Sequence, residues 1–242
     1  MRLTFFYAMV LAGFAAAVLI SVPRVRRLGF SNRQILKFAV IGLAVDLIGA
    51  RLAWFIQQRP NLSGHWLDLL KLSSGGASAL TVLAPGVLVI SWLLKRQGRP
   101  VLPVVAAILP ALVLAMAIVR VGCFVNGCCY GLFTTVPWAI CSPGEARGRH
   151  PTQLYELLFL LGLFFLLLRM EKSSAGPARR VWTAAAGYAA FRFLNDFFRI
   201  DHLFPFAWGL TVNQWIALTV LMICGAIALK KRVIGCTRSC SG

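Results

Sequence analysis

Hydrophobic residues run along this chain in long blocks, not in the short alternations of a strand facing water or the one-sided stripe of a soluble helix. Seven such blocks can be read, over 3–21, 35–56, 76–94, 101–119, 154–168, 181–198 and 204–229. At 1.5 Å per helical residue, crossing about 30 Å of hydrocarbon takes about 20 residues, so most blocks suffice and 154–168 must borrow from its flanks. Backbone polar groups in hydrocarbon have to be satisfied inside each segment, and blocks this long satisfy them as helices, not as the shorter strands of a barrel. The pattern predicts an all-α, polytopic membrane bundle of about seven transmembrane helices, forming a single integral membrane domain over 1–242.

Composition sharpens this. Of the 242 residues 59% are hydrophobic before the 21 Gly are counted and only 13% are charged, which excludes both an ordinary water-soluble domain and a disordered chain. The formal charge of +18, from 25 Lys and Arg against 7 Asp and Glu, would suit a nucleic-acid surface if the basic residues shared one face with interleaved aromatics. They alternate between loops instead. With the N-terminus outside, sixteen of the 25 fall on the cytoplasmic side, at Arg24–Lys37, Lys95–Arg99, Arg169–Arg180 and the short basic tail 230–242. That asymmetry orients a seven-span protein with its N-terminus out and C-terminus in, and argues against a nucleic-acid partner. The first block also resembles a secretory leader, but its small residues Ala15 to Ala17 lie inside the apolar run, ahead of the basic stop at Arg24 to Arg27.

Candidate chemistry lies where polar groups interrupt this scheme. Asp46, Arg51, Arg192 and Asp196 sit within predicted spans, where a charge costs about 2.5–3.5 kcal/mol on insertion scales and needs a partner or a task. Arg192 and Asp196 are one helical turn apart, with Arg199 farther along the same side; a packing ion pair is the structural alternative to a functional one. Asp46 and Arg51, five apart, are expected to reach different neighbours. The longest polar interruption is the predicted periplasmic-side loop 120–153. It contains Arg120-Val-Gly-Cys-Phe-Val-Asn-Gly-Cys-Cys-Tyr-Gly131 and leads into Arg149-His-Pro-Thr-Gln-Leu-Tyr-Glu156. Gly122, Gly127 and Gly131 allow close backbone approach, while Gln153 and Glu156 share a face of the following helix. Four of the seven cysteines, Cys123, Cys128, Cys129 and Cys141, fall in this loop; an oxidising compartment favours disulfides there, and four cysteines allow three pairings that sequence does not choose between. Zinc spacing is absent.

In these motifs the chain resembles the prolipoprotein diacylglyceryl transferase family, bacterial inner-membrane enzymes with seven spans. The likeness runs through Tyr7, Gly49-Ala50-Arg51, the 120–131 segment, Arg149 to Glu156, Arg192-Phe-Leu-Asn-Asp-Phe-Phe-Arg199 and Asn213-Gln-Trp215. It implies transfer of the diacylglyceryl group of phosphatidylglycerol to the lipobox cysteine of a prolipoprotein, with membrane lipids around a monomer and neither cofactor nor metal. It further implies catalytic roles for Arg120, Arg192, Tyr7 and Asp196. Substrate-binding roles follow for Asn126, Gly122, Gly131, Arg51, His150, Gln153, Glu156, Arg199 and Gln214. Guanidinium forks suit phosphate oxygens, and a thiol must become a thiolate to attack.

Two departures stand beside the likeness. The family's His-Gly-Gly histidine is replaced by Ser74 or, with spacing held to Arg120, by Leu80, so the catalytic base is unassigned between His150, Glu156 and groups of the substrate. Cys123 and Cys128 occupy positions where many members carry Asn and Glu. Two other function classes therefore remain open: a catalytically silent lipid- or lipoprotein-binding relative, and a membrane thiol-redox protein using the loop cysteines. His65 and His202 read as loop histidines and Cys224 as a packing residue, while Cys236 and Cys240 lie in the basic tail.

Overall fold

A computed structural model describes residues 2–57, 79–141, 145–200 and 206–239. Among these the chain is helical, in the order α1 (Arg2–Arg26), α2 (Asn32–Gln57), α3 (Ala79–Arg96), α4 (Val101–Asn126), α5 (Thr152–Lys172), α6 (Pro177–Asp196) and α7 (Val212–Ser239). Extended structure among the described residues is confined to isolated bridges. Four helices, α1, α4, α5 and α7, are long and apolar enough to cross a membrane. The other expected spans are also helices, but α6 carries Arg179, Arg180, Arg192 and Asp196 among its 20 residues, too many charges for a plain hydrophobic crossing.

Several boundaries differ from expectation, each for a local reason. The run 154–168 is no shortfall: α5 draws in polar residues at both ends and reaches 21 residues, about 31 Å. The loop assigned to 120–153 is shorter, because Arg120–Asn126 are the last two turns of α4 and Thr152 and Gln153 open α5. The last helix starts at Val212, well inside the block 204–229, and continues through the basic tail to Ser239. Its start is set by a reciprocal cap: Thr211 Oγ1 accepts the Gln214 amide at 3.2 Å and Gln214 Oε1 accepts the Thr211 amide at 2.9 Å. Ser31 and Gln34 make the same exchange ahead of α2, at 3.3 and 3.0 Å.

The chain divides into two compact units, Met1–Cys128 and Cys129–Gly242. In the first, α1 packs closely along α4 because glycines remove side chains from the contact: a Cβ on Gly122 would fall 2.9 Å from Met9 Cβ, and one on Gly13 would fall 3.0 Å from Ala115 O. Val25, Phe30, Ile35, Leu94, Val104 and Ala107 form an apolar cluster at the end bearing the basic turns, where Arg99 stacks on Phe30. Asp46 finds its neighbour in α3, accepting the Gly86 amide at 2.9 Å immediately after Pro85. Arg51 falls where its side chain lies outside the described residues.

In the second unit, α5 buries Thr152, Gln153, Glu156, Leu160, Leu163 and Leu167 along one stripe, so the expected shared face of Gln153 and Glu156 is present. Leu158 (69% exposed) and Met222 (74%) face outward on α5 and α7. Alongside these leucines the unit buries polar and charged side chains such as Glu156, Arg192 and Asp196 while exposing large apolar ones, an arrangement that is stable when the surroundings are hydrocarbon.

Candidate functional site

Among the described residues the largest fully buried side chain is a guanidinium, Arg192, at 1% exposure. It belongs to a stripe of α6 formed by Tyr188, Arg192, Asn195 and, beyond the helix end, Arg199, at the three- and four-residue spacing of one helix face. Arg192 Nη2 lies 3.0 Å from Asp196 Oδ1 and Nη1 lies 3.8 Å from Glu156 Oε2 on α5. Tyr188 Oη donates to Glu156 Oε1 at 2.8 Å. Asp196 also receives the Thr211 hydroxyl on Oδ2 and has Arg199 Nε 3.7 Å from Oδ1. Three segments distant in sequence thus converge on two acids and two guanidiniums, all buried.

Charges balance in this cluster, but hydrogen bonds do not. Arg192 Nε and Nη1 and both ends of the Asn195 amide are buried with no hydrogen-bond partner among the described residues. Leaving such a donor unmet costs about 1–3 kcal/mol, more for a charged group. Buried, pre-oriented donors of this kind are what an anion with several oxygens takes up.

The loop segment fixes the ends of the two helices that carry these groups. Gly131 N donates to His150 O at 2.8 Å, His150 N to Leu132 O at 3.0 Å and Leu132 N to Phe198 O at 2.8 Å, tying the start of α5 to the end of α6. The Cys129 carbonyl accepts from Thr152 Oγ1 at 2.7 Å and Arg199 Nη1 at 3.3 Å. Only glycine fits at 131, since a Cβ there would lie 2.6 Å from His150 Cβ and closer still to Phe198 O. Gly131→Ala is expected to destabilise the protein by about 1–3 kcal/mol through forced backbone shifts, read as a lower melting temperature in detergent; an unchanged melting temperature refutes the tight contact.

Beside this ladder, Arg149 packs over Phe133 at 3.8 Å and Tyr130 at 4.7 Å while pairing with Glu145 through bonds of 2.6 and 2.7 Å. The pairing holds the Glu145 carboxyl below its ordinary value and raises Arg149 further. A lowered folded-state value means the pair's small contribution is complete above the unfolded value of about 4.3 and lost as pH falls through the folded one. The difference in melting temperature between wild type and Glu145→Gln should therefore be present at neutral pH and shrink below about pH 4. A difference that stays constant down that range contradicts it.

His150 is engaged elsewhere: Nδ1 lies 3.1 Å from Tyr155 Oη, which accepts from Trp138 Nε1 at 2.7 Å, and its ring packs on Phe198. Gln214 is spent on the cap and on Phe193 O at 3.3 Å. In the first unit, Arg120 is buried on α4 with Nη1 3.9 Å from Cys123 Sγ. Gly122 serves the contact with α1, Asn126 ends α4, and Tyr7 sits on α1 against Phe6. Ser74, His65, His202 and Cys240 lie outside the described residues, as do the side chains of Leu80 and Cys236.

Tyr188, Asn195 and Thr211 were not singled out in the sequence. The first two could have been found by extending the Arg192 stripe by one turn each way, and Thr211 from its Thr-x-x-Gln spacing to Gln214.

The sequence profile described as prolipoprotein diacylglyceryl transferase matches residues 1–230. Among named relatives, the phosphatidylglycerol–prolipoprotein diacylglyceryl transferase of Geobacter sulfurreducens is 37% identical over 202 residues, covering 79% of this chain and 75% of the relative. The proteins of that name from Pseudoalteromonas atlantica and Verminephrobacter eiseniae are 30% and 29% identical, covering 95% and 90% of this chain and 84% of each relative.

Proposed function

The chain belongs to the prolipoprotein diacylglyceryl transferase family, and on that premise we propose that it transfers the diacylglyceryl group of phosphatidylglycerol to the lipobox cysteine thiol of a prolipoprotein. The sulfur–carbon bond forms as the bond from the diacylglyceryl carbon to the phosphate oxygen breaks. The departing glycerol phosphate gains a negative charge and the thiol loses its proton, so the reaction as written needs no cofactor.

Arg192 carries this reading. A guanidinium 1% exposed, held on one side by Asp196 and with Nε and Nη1 donating no hydrogen bond among the described residues, is preset to receive a phosphate whose charge rises during the reaction. Asp196 keeps the fork oriented, Arg199 and Thr211 keep Asp196 in place, and Glu156 with Tyr188 flanks the other side. The Asn195 amide offers both a donor and an acceptor to the hydroxyls of the glycerol headgroup. Arg120 and Tyr7, which belong to the first unit, keep the catalytic roles that family membership implies for them. His150, bonded to Tyr155, acts on the loop's shape; among the described residues Glu156 is the remaining candidate for accepting the thiol proton.

We place the protein in the bacterial inner membrane, N-terminus outside, with the Asp196 end of α6 and the loop before α5 toward the periplasm and the basic turns toward the cytoplasm. Donor and product both keep two acyl chains in the bilayer, so lipid reaches the site sideways from the membrane. The test is transfer by the purified wild-type protein in vesicles of phosphatidylglycerol supplied with a lipobox peptide. The expected product is a peptide carrying diacylglycerol through its cysteine, with none formed in phosphatidylethanolamine vesicles; no product from phosphatidylglycerol refutes the reading.

A further inference from the structure

The end of α4 brings two of the loop thiols together by backbone geometry alone. Gly127 takes a left-handed conformation at φ 70°. Its amide donates to Phe124 O at 3.1 Å, and the Cys128 amide donates to Cys123 O at 3.2 Å. This pair of bonds is the Schellman termination of a helix, in which the residue after the glycine folds back over the one five positions earlier. Apolar side chains commonly meet at those two positions; here both are cysteine. Their Sγ atoms lie within 4.8 Å of each other, and the Cys128 thiol points back to the Cys123 carbonyl at 3.6 Å.

We propose that Cys123 and Cys128 form a reversible dithiol–disulfide pair that closes the end of α4. Closing the sulfur separation to a bond of about 2.05 Å needs side-chain rotation within a backbone already folded onto itself. Cys128 is the more accessible of the two and Cys123 is 5% exposed, which sets the order of events with an external disulfide. The Cys128 sulfur, as thiolate, attacks one sulfur of that disulfide, giving a mixed disulfide and releasing one thiol. The Cys123 sulfur then displaces the second, so the two cysteines lose two protons and two electrons and the external disulfide becomes two thiols.

The pair also touches the buried arginine of this unit. Arg120 Nη1 has Cys123 Sγ as a neighbour at 3.9 Å, and oxidation moves that sulfur toward Cys128 and removes its thiol character. The oxidation state therefore reaches a guanidinium one helical turn away. This inference does not rest on the transferase reading, and its readout is chemical, not enzymatic.

The test is equilibration of the intact purified protein, in detergent, across ratios of reduced to oxidised glutathione, followed by acid quenching, alkylation and peptide mass spectrometry. A Cys123–Cys128 disulfide should accumulate with a single midpoint and revert on reduction. Cys123→Ser should trap glutathione on Cys128, and Cys129→Ser should leave the midpoint unchanged. The proposal is overturned if both thiols remain alkylatable at the most oxidising ratio, or if the wild-type linkage runs through Cys129 or Cys141. Wild-type protein alone decides between these outcomes, so a poorly folding variant does not blunt the test.

Discussion

Arg192→Lys is expected to lower the kcat of diacylglyceryl transfer by a factor of about 10²–10³, the usual loss when one donor to a developing negative charge is removed. The substitution keeps a positive charge beside Asp196 and Glu156, so the cluster still balances and the protein still folds. What disappears is the planar fork: the three donors of an ammonium radiate from one nitrogen, so a lysine held against the Asp196 Oδ1 that Arg192 Nη2 approaches at 3.0 Å cannot also present the spaced, parallel donors that Nε and Nη1 offer a phosphate. The measurement is initial rate against phosphatidylglycerol content in vesicles. The effect should fall mainly on kcat, because charge on the phosphate grows toward the transition state. A lysine variant working at the wild-type rate would remove Arg192 from the reaction and leave the buried cluster as packing.

Asp196→Leu carries the largest expected loss of stability, about 3–5 kcal/mol, because removing one partner strands buried opposite charge. Asp196 is fully buried and has Arg192, Arg199 and the Thr211 hydroxyl around it. Without it, two guanidiniums face a single acid, Glu156. The check is thermal unfolding in detergent. Pairing the change with Arg199→Leu restores the charge balance and should recover part of the loss. An Asp196→Leu protein as stable as wild type would mean that the cluster is wetter, and its pairing weaker, than its burial indicates.

Much of this protein could be read from its residues. Long apolar blocks dictate helices in hydrocarbon, and all seven blocks correspond to helices among the described residues. The spacing of Arg192 and Asp196 announced an ion pair one turn apart, and it is present. Errors gathered at block edges, because hydrophobicity measures where a chain can enter lipid and not where its hydrogen bonding stops. Arg120 to Asn126 look like loop by composition, yet the helix runs on until Gly127 turns it back. The last block looks helical from 204, yet its helix waits for the Thr211 cap.

Side-chain partners were less legible. Glu156 and Arg192 are 36 positions apart, and nothing in either motif says that a carboxylate on α5 sits 3.8 Å from a guanidinium on α6. His150 reads from its own chemistry either as a proton acceptor or as a hydrogen-bonded helix-entry residue; only the structure supplies its neighbours, Tyr155 Oη at 3.1 Å from Nδ1 and the Phe198 ring. Four cysteines in one loop permit three pairings, and it is only the left-handed turn at Gly127 that shows Cys128 folded back over Cys123 at the end of α4.

By itself, then, the sequence determined what is local and additive: helix-forming apolar length, the uneven distribution of charge along the chain, and which residues share a stripe. Tertiary structure decided which stripes face each other, and so which charges are matched and which donors are left over. The physical reason is that burial and hydrogen bonding are properties of pairs. A residue's own chemistry says what it can bond to, but only the packing of helices says what it meets.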